Sequence, residues 1–145
     1  MSDSEEAERL SRRRAGMMPM LGVLLLVQQG IFFTADDTGR LVDSIRTTGW
    51  MALALVILAV LVTGGFWFKP RAIRNLMDDE ITRANRASAL TFGFVLAMSA
   101  AIVLYALEAF YPGSATTREA IHIIVTAGLV GALARFGLLE RRALG

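Results

Sequence analysis

The stretch GWMALALVILAVLVTGGFWF, residues 49–68, decides how the rest of the chain is read. It contains no charged residue from Gly49 to Phe68. About 20 consecutive apolar residues of helix match the thickness of a bilayer's hydrocarbon core. Three more stretches share this character. Ala15 to Phe33 and Ala87 to Leu107 are free of charge, and Ala120 to Leu139 carries only His122 and Arg135. Of the 145 residues, 54% are apolar and 19% are charged, with a mean hydropathy of +0.52. That much charge coexists with that much hydrophobicity only because the two are segregated along the chain. The pattern predicts four transmembrane spans at about 15–33, 49–68, 87–110 and 120–139. A polar segment over 1–14 and a tail over 140–145 flank the membrane domain of 15–139.

The basic residues orient these spans. Arg9, Arg12, Arg13 and Arg14 precede the first span. Lys69, Arg71, Arg74, Arg83 and Arg86 lie between the second and third, and Arg135, Arg141 and Arg142 close the fourth. In a four-span topology all of these fall on one side, leaving Arg40, Arg46 and Arg118 of the 15 Lys and Arg on the other. The positive-inside rule then places both termini in the cytoplasm, in a multi-pass protein of the inner (plasma) membrane. The net charge of +2 thus reflects topology, and no direct nucleic-acid binding is expected. Phe33 sits where a signal-peptidase site would need a small residue, so the first span is read as uncleaved.

Short connections favour antiparallel neighbours, so the fold class is all-α: an up-down bundle of four transmembrane helices built as two hairpins. Pro19 is expected in the first turns of span one, where a missing N–H costs little. Trp50 and Trp67 are expected at the headgroup level, and Arg135 as an anchor snorkelling to the cytoplasmic surface. Small residues let membrane helices approach closely. Gly93, Ala97 and Ala101 on span three, and Ala127 with Gly131 and Gly128 with Ala132 on span four, can therefore join these two spans or two copies of the protein. The first is preferred, because every bundle must pack internally.

Reactive groups are scarce. There is no cysteine and one histidine, His122, near the outer end of span four. A haem with two histidine ligands would need a symmetric dimer, so His122 is the single candidate ligand and no cofactor is expected. Glu108 and Glu119 lie near the same surface, within conceivable reach of its imidazole. Gln28, Gln29 and His122 form a candidate intramembrane polar site. No nucleotide loop, metal-ligand spacing or nucleophile elbow occurs, and the chain is expected to be non-enzymatic. No span has a central carboxylate of the kind that proton-coupled transporters use.

The most distinctive polar stretch, Arg74 to Ala87, lies between spans two and three. Asp78 suits a helix N-cap, Asp79 and Glu80 suit its first turn, and Arg83 and Arg86 can meet lipid phosphates. Asp78, Asp79, Glu80, Arg83 and Arg86 together form a candidate collar for a cytoplasmic protein. The run Asp79-Glu80-Ile81-Thr82-Arg83, with Ala87-Ser88-Ala89-Leu90-Thr91-Phe92 opening the third span, resembles a family of small four-span prokaryotic membrane proteins. That family has an Asp-Glu-Arg-Thr-like motif at this point, and Ile81 stands here for its basic residue. The similarity covers about half the chain, from Asp79 to the fourth span. Members are often encoded beside small helix-turn-helix regulators, which implies a sensing or regulatory role and carries over no catalytic residue.

From these residues the protein is expected to be an assembly, sensory or regulatory component. Its partners would be the lipid bilayer, a second copy or other membrane-complex subunits, and a cytoplasmic regulatory protein. The alternative is a small oligomeric transporter or channel, with a cofactor-bearing redox subunit behind it.

Overall fold

The computed structural model describes residues 3–34, 40–65 and 79–143, and folds them into four long helices. α1 runs Asp3–Thr34, α2 Arg40–Thr63, α3 Glu80–Phe110 and α4 Thr117–Ala143. At about 1.5 Å per residue they are roughly 36–48 Å long, enough to cross the hydrocarbon core and carry polar turns into both headgroup layers. Each is long and apolar enough to span a membrane. Leu24, Val56, Phe94 and Ile102 lie exposed along them. Such side chains are stable facing lipid, and helices satisfy their own backbone groups there. The protein is an integral, multi-pass four-helix bundle.

Local chemistry sets the helix ends. Asp79, and not Asp78, caps α3: its Oδ1 accepts from the Thr82 N–H at 2.7 Å. At the other end of α3, Glu108 Oε1 accepts from the backbone N–H of Gly113, whose φ of 82° only glycine adopts without strain. Thr116 and Glu119 then form a reciprocal capping box for α4. The Thr116 N–H donates to Glu119 Oε2 at 2.7 Å, and the Glu119 N–H to Thr116 Oγ1 at 3.3 Å. α2 stops before its apolar run is over. Gly64 and Gly65 both take positive φ, and the Gly64 N–H closes the helix onto the Val60 carbonyl at 2.9 Å. Trp67, Lys69 and Pro70 lie outside the described residues, as does the Asp36–Gly39 part of the first connection.

α4 is the central helix. Its small residues form the seam with antiparallel α3, as the spacing predicts. A Cβ on Gly93 would stand 2.5 Å from the Gly128 carbonyl oxygen and 2.8 Å from Ala132 Cβ, so only glycine permits this approach. The expected first hairpin is different. α1 packs mainly along α4 and only sparingly against α2, its neighbour in sequence. Gly22 and Gly137 allow this on the opposite side of α4: a Cβ on Gly22 would touch Leu133, and one on Gly137 would press on the Pro19 ring at 3.0 Å. Pro19 therefore lies well inside α1, because the helix begins at Asp3. Proline supplies no N–H to the carbonyl four residues back, that of Ala15. This carbonyl would be 3.5 Å from a Cβ on Gly137, so α4 leaves room for both consequences of the proline. Leu25, Ile57, Leu61, Leu133 and Phe136 form the fully buried centre of the bundle.

Candidate functional site

Two polar clusters interrupt this apolar interior, one at each end. At the end where α1 begins and α4 finishes, Arg14 and Glu140 are only 2% and 3% exposed. Arg14 Nη2 donates to Glu140 Oε2 at 2.6 Å and to Thr82 Oγ1 at 3.2 Å. Glu140 Oε1 accepts from Asn85 Nδ2 at 3.2 Å, and the guanidinium carbon stands 5.5 Å from the centre of the Phe136 ring. Three helices are tied together here: α1 by Arg14, α3 by Thr82 and Asn85, and α4 by Glu140. The clamp also reaches the surface. Thr82, whose hydroxyl accepts from Arg14, gives its backbone N–H to Asp79.

Of the collar predicted from sequence, Asp79, Glu80 and Arg83 are exposed and Arg86 is half-buried. Asp78 lies outside the described residues. Through Asp79 and Thr82, the described part of the collar connects to a buried ion pair that the sequence reading did not find. One signal pointed to it: Arg14 and Glu140 each abut an apolar run at the same end of the topology, where opposite charges can neutralise each other.

At the opposite end, His122 is 3% exposed and sandwiched between two rings. Phe32 of α1 stacks on one face at a centroid distance of 3.9 Å and 10°, and Trp50 of α2 on the other at 3.9 Å and 22°. His122 Nδ1 lies 3.4 Å from Gln29 Oε1, which also accepts from Thr126 Oγ1 at 3.0 Å. If the His122–Gln29 contact is a hydrogen bond, Nδ1 carries the proton and Gln29 Oε1 receives two donors. Arg118, one turn before His122, lies over Phe32 at 5.1 Å and hydrogen-bonds Thr47 of α2.

Gln29 and His122 thus meet, whereas Gln28 is half-buried at the α1–α2 seam beside Gly49. Neither carboxylate expected near His122 is bonded to it: Glu119 belongs to the capping box, and Glu108 bonds Gly113 and Ser114. Trp50 is likewise no headgroup anchor, being 6% exposed and held against the imidazole. Arg135 is exposed as an anchor should be, with its guanidinium 6.0 Å from the Phe92 ring.

Among the described residues no three His, Asp or Glu side chains gather as metal ligands. The chain matches no family model, no curated protein and no solved structure. The reading of its function therefore rests on these two clusters and the collar.

Proposed function

We propose that the protein is a non-enzymatic regulatory or assembly component of the inner membrane, with the Arg14–Glu140 end in the cytoplasm, and that it works by docking a cytoplasmic protein on the collar. The observation that carries this reading is the continuous chain of contacts from the exposed Asp79 through Thr82 to Arg14, Glu140 and Asn85. A partner that engages the acidic start of α3 acts on the residues that hold α1, α3 and α4 together. The likeness of residues 79–83 to the four-span family, with its regulator-linked members, points the same way.

A transport role is less well supported. Thr126 and Glu140 are about 21 Å apart along α4. Among the described residues, the largest fully buried side chains, Leu25, Ile57, Leu61, Leu133 and Phe136, are all apolar and give an ion no polar step.

The test is the double variant Asp79→Asn, Glu80→Gln. Asparagine is as good an N-cap as aspartate, so α3 keeps its first turn while the collar loses its negative charge. Mild-detergent purification of this variant should lose a cytoplasmic protein that accompanies the native chain, with the thermal midpoint nearly unchanged. If every companion of the native protein is retained, the collar is only a helix start and the docking role is wrong.

A further inference from the structure

Gln29 Nε2 and Trp50 Nε1 are buried N–H donors with no hydrogen-bond acceptor among the described residues. Both residues adjoin His122, Gln29 through its amide oxygen and Trp50 through its ring. An unmet buried donor costs about 1–3 kcal/mol, so it marks a place where an acceptor from outside the protein would be stabilising.

Gln29 also lines a cleft. The space is about 510 Å³, within the ~300–1,000 Å³ usual for small-molecule sites. Its walls are Leu26 of α1 and Phe92 and Leu96 of α3, and its floor is α4. α1 and α3 scarcely touch each other, so the cleft opens sideways, towards lipid. Gln29 and Thr126 are its polar residues, and none of the residues lining it is charged. From Thr126 the floor continues past Gly131 to Ala134, about 12 Å of apolar groove made of small side chains.

These features select an occupant. It must dissolve in the membrane, carry a neutral head with a hydrogen-bond acceptor, and trail an apolar tail. A phospholipid head beside Gln29 would bring a phosphate to a part of the cleft whose lining residues carry no cation. We propose that the cleft binds an isoprenoid quinone, with a ring carbonyl accepting from the Gln29 amide and the tail lying along α4 towards Ala134. Gln29 Nε2 is itself buried, so binding as proposed includes a turn of the Gln29 side chain that brings its N–H into the cleft. The oxidised quinone fits better than the quinol, because its carbonyl only accepts, whereas a quinol hydroxyl must also find an acceptor for its own O–H. This inference is independent of the collar and of whatever docks there.

Trp50 is a built-in reporter, separated from Gln29 by the His122 ring. The full-length protein carrying Trp67→Phe, so that Trp50 is its only tryptophan, is placed in phosphatidylcholine nanodiscs and titrated with decylubiquinone. Trp50 fluorescence should be quenched saturably, and decylubiquinol should bind more weakly. Gln29→Leu removes the donor and should weaken binding about five- to tenfold. Ala134→Phe, at an exposed position on the cleft floor, should weaken it at the tail without touching the core. Quenching that rises linearly and identically in all three proteins means simple partitioning into a cleft already filled by lipid, and overturns the proposal. So does saturable binding that neither substitution alters, which would place the quinone elsewhere.

Discussion

Replacing Glu140 by alanine should be among the most damaging single changes in this bundle. Arg14 would keep its charge at 2% exposure and lose the carboxylate that meets it at 2.6 Å. Two unit charges about 4 Å apart attract by about 4 kcal/mol at an effective dielectric of about 20. Breaking a buried pair by removing one partner typically costs about 3–5 kcal/mol, and the 2.6 Å contact places this pair in that class. Asn85 would lose its acceptor as well. Replacing both members, Arg14→Met with Glu140→Met, removes the desolvation cost together with the attraction. The double variant should lie within about 1 kcal/mol of the native protein or be more stable. The assay is reversible unfolding in mixed micelles, applied to Glu140→Ala and to a double-mutant cycle made of the native protein, Arg14→Met, Glu140→Met and their combination. A loss below about 1 kcal/mol for Glu140→Ala, or additive effects of the two methionine substitutions, would mean that the pair is solvated and holds nothing together.

The α3–α4 seam offers an internally controlled comparison: Gly93→Ala should destabilise by about 1–3 kcal/mol through its clash with the Gly128 carbonyl. Gly30→Ala, with nothing within 4 Å of the new Cβ, should gain about 0.5–1 kcal/mol, and equal effects at the two sites in thermal unfolding would refute this packing. Gly137→Ala should be harmful beside Pro19 and milder in a Pro19→Ala background, so the two changes should be non-additive by at least about 0.5 kcal/mol. The chain has no native cysteine, so cysteines introduced at Glu5, Ser114 and Arg142 report topology directly. An impermeant maleimide should label only position 114 in intact cells, and outside labelling at 5 or 142 would reverse the orientation.

Membrane residence, helix number and the α3–α4 seam are legible in the sequence because each depends on neighbours along the chain. Gly49 to Phe68 is apolar whatever surrounds it, and one run of about 20 such residues specifies a span. Gly93 and Ala97 lie on one face of their helix through the four-residue period alone. Thr116 and Glu119 carry a capping-box spacing that could have been read three residues apart. The long-range pairings were not legible. Arg14 and Glu140 are separated by 126 positions, and Gln29 and His122 by 93. From sequence, Arg14 belongs to a basic flank, Glu140 to a tail, and Trp50 to an interfacial belt. What made them a clamp and a stacked cluster is the packing of α1 along α4, in place of close pairing with α2. No local pattern dictates that choice. It follows from which helix faces are smooth enough to meet, with Gly22 and Gly137 opening the seam and Pro19 fitting into it. Hydropathy acts residue by residue and so survives in the one-dimensional text. The choice of partner is a property of two surfaces at once, and the folded bundle alone decides it.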